Sequence, residues 1–379
     1  MSNNTSNDEV FEYTGNGRRV QHDAVSVAFH PSVVKVDDEA FHNYKSLKEV
    51  VLNEGLVNIG IYAFEYCSSL ESITMPSTVT SISRSAFSQC TSLKEAVLNE
   101  GLLEIDTHAF SCCLSLQSIT LPSTVTEIRF GAFSMCNSLK EVVLNEGLVN
   151  VGILSFKGCD LLESITLPST VTEIGSSAFN CCSNLKEVVL NDGLMKIGPY
   201  AFSNCRSLES ISIPSSVTDM DKHAFSSCSG LREVVCIEGL PAIESSTFND
   251  SPILERISFP NLSSRLEDII RAGQVDVQDK IQQYITRSDI EWRRGDTIYI
   301  PVEVTRRREV CDLARQHFSQ IVKWIRYYEM KEATTLFELA LWNAKIDQVQ
   351  VDEANPHDRD AYRIDVPGPV KDAILQYLL

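Results

Sequence analysis

FSCCLSLQSITLPSTVTEIRFGAFSMCNSLKEVVLNEGLVNVGILSF, running from Phe110 to Phe156, states one pattern twice. Each half begins with a phenylalanine, places a cysteine three residues on and a leucine six on, then alternates through Ile119 and Leu121 or Val142 and Leu144. Working outward, the phenylalanine recurs at Phe41, Phe64, Phe87, Phe110, Phe133, Phe156, Phe179, Phe202, Phe225 and Phe248, always 23 residues apart. The leucine keeps step from Leu47 to Leu254, and a small residue, usually alanine, precedes nearly every phenylalanine. A fixed period of this length marks a repeat array, in which each unit is completed only by its neighbours.

The physical reading follows from the alternation. Apolar residues nine and eleven positions after each phenylalanine, with polar or β-branched ones between, are the signature of a half-buried strand. One such strand cannot bury its face alone. Stacked at the strand spacing of about 4.8 Å, equivalent side chains line up into continuous buried rows, and ten coils make a rod about 45–50 Å long. Two kinds of punctuation end the strands. Pro76, Pro122, Pro168, Pro214 and Pro260 stop half of them, where a missing N–H is tolerated. In the others, Asn53, Asn99, Asn145 and Asn191 begin turns completed by Gly55, Gly101, Gly147 and Gly193, residues that accept positive φ. The true period is therefore 46 residues. Charge follows it: seven residues after each phenylalanine the chain runs Lys48, Glu71, Lys94, Gln117, Lys140, Glu163, Lys186, Glu209, Arg232, Glu255. Stacking brings opposite signs together, and a slip by one coil breaks that pairing.

The pattern Ala-Phe-x-x-Cys-x-x-Leu-x-x-Ile-x-Leu-Pro-x-x-Val-x-x-Ile, from about Val25 to Leu262, resembles the BspA-like leucine-rich repeats of bacterial surface antigens and several protists. The resemblance implies a β-solenoid whose members mediate adhesion and protein–protein contacts, and it brings no catalytic residues.

The expected fold is a β-rich leucine-rich-repeat solenoid of ten 23-residue coils followed by a mainly α-helical C-terminal region. Residues 1–24 read as a polar, disordered segment. Residues 25–262 read as the solenoid, with Val25–Pro31 as a half-coil capping its start. Residues 263–379 read as a helical capping or docking domain: 17 of the chain's 33 basic residues lie beyond residue 260, as do Trp292, Trp324 and Trp342. Short helices are expected over 262–273 and 277–286, a strand pair over 297–305, and amphipathic helices over 310–328, 331–346 and 370–379. This tail is similar to tails of repeat proteins from marine diatoms.

Several features invite a chemical reading. Cys67, Cys90, Cys113, Cys136, Cys159, Cys182, Cys205 and Cys228 each stand three residues after a phenylalanine, with Tyr44 and Ser251 in the terminal units. Their parallel Cβ vectors suit neither disulfides nor the four-ligand convergence of a zinc site, so they read as a structural row of buried, reduced side chains, with Cys112 and Cys181 pointing the other way. Arg294-Gly295-Asp296 matches the integrin-ligand tripeptide but reads more simply as a turn, and Arg306-Arg307-Arg308 as a solvated linker. The seven histidines form no metal-binding pair, and no phosphate loop or nucleophile elbow is present,. No catalytic residue, cofactor or metal is expected.

The net charge of −18 argues against nucleic acid or an anionic membrane, and no apolar run is long enough to span a bilayer. The candidate function is therefore binding of other proteins through the solvent face of the strands. Glu49, Glu95, Glu141, Glu187 and Glu233 form an acidic row there, beside Val51, Val97, Val143 and Val189. A secreted or cell-surface adhesin is the second reading and an enzyme within the tail the third. The first residues carry no secretory signal pattern, which with the unpaired cysteines favours the cytoplasm over an extracellular location.

Overall fold

A computed structural model describes residues 10–15, 20–237, 242–243, 246–254, 256–259 and 298–301. Over these residues the chain is a β-solenoid in which strand partners in neighbouring coils are offset by 23 positions, as in Ser118↔Glu141 and Ile128↔Val151. No helix occurs among the described residues.

Each coil carries two strands rather than the one the alternation reveals. The front strand holds the alternating residues, as in Ser118–Thr120 and Glu141–Val143. The side strand has only two residues per coil, from Lys35–Val36 to Ala242–Ile243, and these form one continuous ten-stranded parallel sheet. Two residues are too few to show an alternation, so this row leaves no periodic signal of its own.

The third side is the turn around the phenylalanine. The rings form a single column: Phe110 and Phe133 lie 5.5 Å apart and within 1° of parallel, and the other neighbours repeat this at 5.1–5.8 Å. Such stacked pairs contribute about 0.5–1.5 kcal/mol each beyond their area. All ten rings are fully buried with the leucine row beside them. Around each ring from Phe41 to Phe225 the backbone takes the left-handed conformation twice, two residues before and two after, as at His108 and Cys112 or Tyr200 and Asn204. Only Gly131 and Gly158 among these positions are glycines, and left-handed φ costs other residues about 1–2 kcal/mol. Three bonds to the next coil hold the turn at Phe110: His108 N–H to Phe130 O, Phe110 N–H to Ala132 O and Cys112 N–H to Ser134 O, at 2.8–2.9 Å.

The front row behaves differently. Among the described residues its hydrogen-bonded ladder breaks between Glu49–Val51 and Ser72–Thr74, between Glu141–Val143 and Ser164–Thr166, and between Glu187–Val189 and Ser210–Ile213. Every break falls where a Glu-type coil is followed by a Ser-type coil. The remaining step of that kind keeps one residue pair, Ser118↔Glu95, whereas Ser72–Thr74 pairs along its whole length with Glu95–Val97. Asparagine explains the direction. Where Ser-type coils have proline, Asn99 and Asn145 turn their side-chain amides back onto the carbonyls of Met75 and Leu121. The Glu-type coil is thereby drawn to the coil before it. Toward the coil after it the link is made at the corner instead: Glu146 accepts from Ser169 N and Oγ at 3.0 and 2.8 Å, and Thr170 donates to Leu148 O. Gly55, Gly101 and Gly147 take positive φ in these turns, as their sequence predicts, but Gly193 does not. In that coil Asp192 replaces the glutamate, and the Gly193 N–H is drawn to Asn191 Oδ1 at 2.6 Å.

The ends also depart from expectation. Residues 1–24 are not wholly outside the fold: Val10–Tyr13 forms a strand parallel to Ser26–Phe29. The Tyr13 ring covers the exposed end of the phenylalanine column, 5.0 Å from Phe41, and its hydroxyl donates to Asp37. Burial is the largest cause that pushes the phenol up to about 12. The polar average of the segment conceals these two aromatic residues, Phe11 and Tyr13. At the other end, Ile298–Pro301 pairs antiparallel with Arg256–Phe259, so the strand expected near 297–305 finds its partner in the last coil rather than in the tail. The helices expected over 262–286 and 310–379, Arg294-Gly295-Asp296 and Arg306-Arg307-Arg308 lie outside the described residues.

Candidate protein-binding face

The front strands present their first and third residues to solvent and bury the second, an exposed–buried–exposed order kept in each of the seven strands from Glu49–Val51 to Glu187–Val189. This follows from the pleat, because +8 and +10 must face away from the core if +9 faces into it. Glu49, Glu95, Glu141, Glu187 and Glu233 are therefore all exposed. Val51, Val97, Val143 and Val189 stand beside them at 52, 41, 37 and 43% exposure, high enough to make an apolar stripe rather than a buried edge.

The neighbouring charges are partly spent on each other. Lys94 Nζ lies 2.9 Å from Glu71 and Lys186 Nζ 3.0 Å from Glu163, each lysine reaching to the coil before it. The side-chain hydrogen bond and charge of Lys94 hold the Glu71 carboxyl below its usual range. Lys140 has Gln117 at the equivalent place, so the expected ladder is broken there. Glu95, Glu141 and Glu187 have no ion-pair partner among the described residues. The ladder break between Glu141–Val143 and Ser164–Thr166 opens into a cleft of about 430 Å³ lined by Glu141, Val143, Asn145, Glu146, Ser164 and Thr166. Sequence reasoning had no signal for this cleft, because it arises from hydrogen bonds that close every second step more tightly.

The eight cysteines of the ladder are all buried and unpaired. They do more than fill space. Each thiol donates to the carbonyl of the phenylalanine one coil back, from Cys67 to Phe41 at 3.1 Å through Cys136 to Phe110 at 3.2 Å and on to Cys228 and Phe202 at 3.1 Å. Ser251 makes the same bond to Phe225 at 2.9 Å, while Tyr44 at the other end donates to Val20 O. Burial pushes the Cys67 and Cys228 thiols up to about 12. It also raises those of Cys90, Cys113, Cys159, Cys182 and Cys205 well above the ordinary thiol range. A thiol so far from ionising is a poor nucleophile and a poor ligand. Cys112 and Cys181 sit half-buried on left-handed turns, away from the row. Among the described residues no group of three or more His, Cys, Asp or Glu is placed to hold a metal ion.

A second exposed apolar row escaped the sequence reading. Seven residues before the phenylalanine, Val57, Leu103, Val149 and Met195 are exposed in alternate coils, with Thr80, Thr126 and Thr172 between them. The 46-residue period applied to that position would have found it.

A family model described as BspA type leucine rich repeat region matches residues 21–140, 57–163 and 149–270. Among solved structures, a leucine-rich repeat protein from Bacteroides ovatus is 30% identical with a TM-score of 0.59. The match covers 63% of this chain and 64% of that one, so the chain spans less than two thirds of its relative's length. A leucine rich cell surface protein from Faecalibacterium prausnitzii is 24% identical, with 61% and 78% coverage and a TM-score of 0.38. The pneumococcal vaccine antigen PcpA is 26% identical, with 65% and 71% coverage and a TM-score of 0.41. No curated protein matches the chain.

Proposed function

The chain belongs to the BspA-type leucine-rich-repeat family, and from that membership we propose that it is a non-enzymatic scaffold binding other proteins through the solvent face of its front strands. The observation that carries this reading is the row Glu95, Glu141 and Glu187, exposed, without ion-pair partners among the described residues, and flanked by exposed valines. Long regular surfaces of this kind are what repeat arrays offer a partner. The acidic row suits a basic protein surface and repels nucleic acid. The test is affinity capture with the full chain and with a variant carrying Glu95→Lys, Glu141→Lys and Glu187→Lys. Loss of the specific partners at an unchanged melting temperature supports the face. Capture of the same partners by both chains sinks it.

A surface-exposed adhesin is the second reading, and the thiol row favours giving it weight. Unpaired cysteines argue for a reducing compartment only when oxidants can reach them, and these eight are buried. Among the described residues no helix is long and apolar enough to cross a membrane. Cell fractionation with surface proteolysis separates the readings: protection inside intact cells favours the intracellular scaffold, and cleavage favours the adhesin.

A further inference from the structure

We infer that the front face takes a second copy of this chain, laid antiparallel about a two-fold axis running along the strands between Ser118–Thr120 and Glu141–Val143. This rests on the reading of that face as the docking surface and goes beyond it by naming the partner and its register. The first observation is a set of matched, unused groups in one row. At the ends of the front the glutamates are satisfied within the chain: Ser26 Oγ donates to Glu49 at 3.3 Å and Ser258 Oγ to Glu233 at 3.0 Å. Between them, Glu95, Glu141 and Glu187 have no side-chain hydrogen bond or ion pair among the described residues, and the hydroxyls of Ser72, Ser118 and Ser164 have none either. All six are exposed and alternate along the row. The two-fold sets Glu95 opposite the partner's Ser164, Glu141 opposite the partner's Ser118 and Glu187 opposite the partner's Ser72. Each free acceptor thereby gains a free donor, and each exchange is made twice.

The same rotation matches the rows on either side. The Lys94–Glu71 ion pair comes to lie over the partner's Lys186–Glu163 pair with its polarity reversed, so each ammonium group faces a carboxylate. Lys48 meets the partner's Glu209, and Lys140 meets the partner's Gln117. Beyond the glutamates, exposed valine meets exposed threonine: Val97 the partner's Thr166 and Val143 the partner's Thr120. The unequal spacing of the front row is kept in register as well. The break after Glu49–Val51 faces the break after Glu187–Val189, and the break after Glu141–Val143 faces the step after Glu95–Val97, which keeps a single residue pair. A second copy therefore fits whatever the size of those steps, whereas a ligand of uniform pitch drifts across them. A two-fold along the solenoid axis matches lysine to glutamate only by carrying the two valine rows to opposite edges of the contact.

The experiment combines sedimentation equilibrium of the full chain with cross-linking, at about 0.15 M salt, where repulsion between two copies of charge −18 is screened beyond about 8 Å. The face is only a few residues wide, so the contact belongs to the class burying less than about 1,200 Å², and a dimer is expected within about 1 mM chain. Thr120→Arg, exposed beside the axis, is expected to weaken it at least about tenfold at an unchanged melting temperature. Thr74 and Val189 test the register, because they are five coils, about 24 Å, apart in one chain but opposite each other across the axis. Chains with Thr74→Cys are mixed with chains carrying Val189→Cys, both with Cys112, Cys181 and Cys311 changed to serine, and treated with a short bismaleimide. The mixture is expected to give a covalent dimer that neither variant gives alone. A dimer without that link, or one indifferent to Thr120→Arg, overturns the inference. A monomer up to about 1 mM overturns it too, and leaves the docking face standing if the lysine variant at Glu95, Glu141 and Glu187 still loses the captured partners. A monomer whose partners ignore that variant overturns both.

Discussion

The turn side and the front side of each coil are stacked by different rules. On the turn side the unit is 23 residues: every phenylalanine meets the next ring, and every cysteine of the row meets the carbonyl one coil back. On the front side the unit is 46: Ser-type and Glu-type strands pair fully, and of the four Glu-to-Ser steps that follow, three open and the fourth keeps a single residue pair. The uniform side carries cohesion, because each of its contacts is buried and repeated at every boundary. The alternating side is left free to vary in spacing and to present charge. In this solenoid the stability and the candidate binding chemistry thus sit on opposite sides of the same coil.

The sharpest attack on the uniform side is alkaline pH. The thiols of Cys67 and Cys228 are raised from 9.0 to about 12 by burial. The folded chain therefore holds these protons between pH 9 and 12 while the unfolded chain has lost them, and stability falls as pH rises through that window. Urea midpoints are expected to be level from about pH 7 to 8.5 and to collapse above about pH 9.5. A midpoint unchanged at about pH 11 would show that the row is not buried in solution. Phe133→Ala comes next. Removing the ring between Phe110 and Phe156 should cost about 3–5 kcal/mol by urea unfolding, and a loss under about 1 kcal/mol would deny that the column carries the stack. Ser155→Ala should go the other way. Ser155 stands where neighbouring coils have Ala132 and Ala178, and its fully buried hydroxyl has no hydrogen-bond partner among the described residues. Alanine there is expected to stabilise the chain by about 1 kcal/mol, read as a higher melting temperature; a lower one would place an unseen partner beside it. The smallest effect belongs to the front side. Glu187→Gln should change stability by less than about 0.5 kcal/mol. A larger loss would mean that the acidic row holds the coils together rather than facing a partner.

Much of this was legible because a repeat is read many times over. The column of Phe41 through Phe248 and the exposed glutamate row followed from spacing alone. Other features could not be. The left-handed turns fall on Tyr62, Ser85, His108 and Leu154, residues with no shared preference for positive φ, so no composition signal marks them. The side strands are too short to alternate. Tyr13 caps the column from a segment that is polar on average. Spacing shows the cysteines only as small buried side chains; their donation to a buried carbonyl depends on the neighbouring coil being in contact.

The sequence by itself determined the period, the buried rows and which side chains face outward, because a fixed spacing in a stacked chain leaves each position one kind of neighbour. Only the tertiary structure decided which boundaries close and which open. That choice rests on Asn99 and Asn145 turning back while Glu146 reaches forward, and the direction of a side chain between two equally spaced neighbours is not written in its spacing.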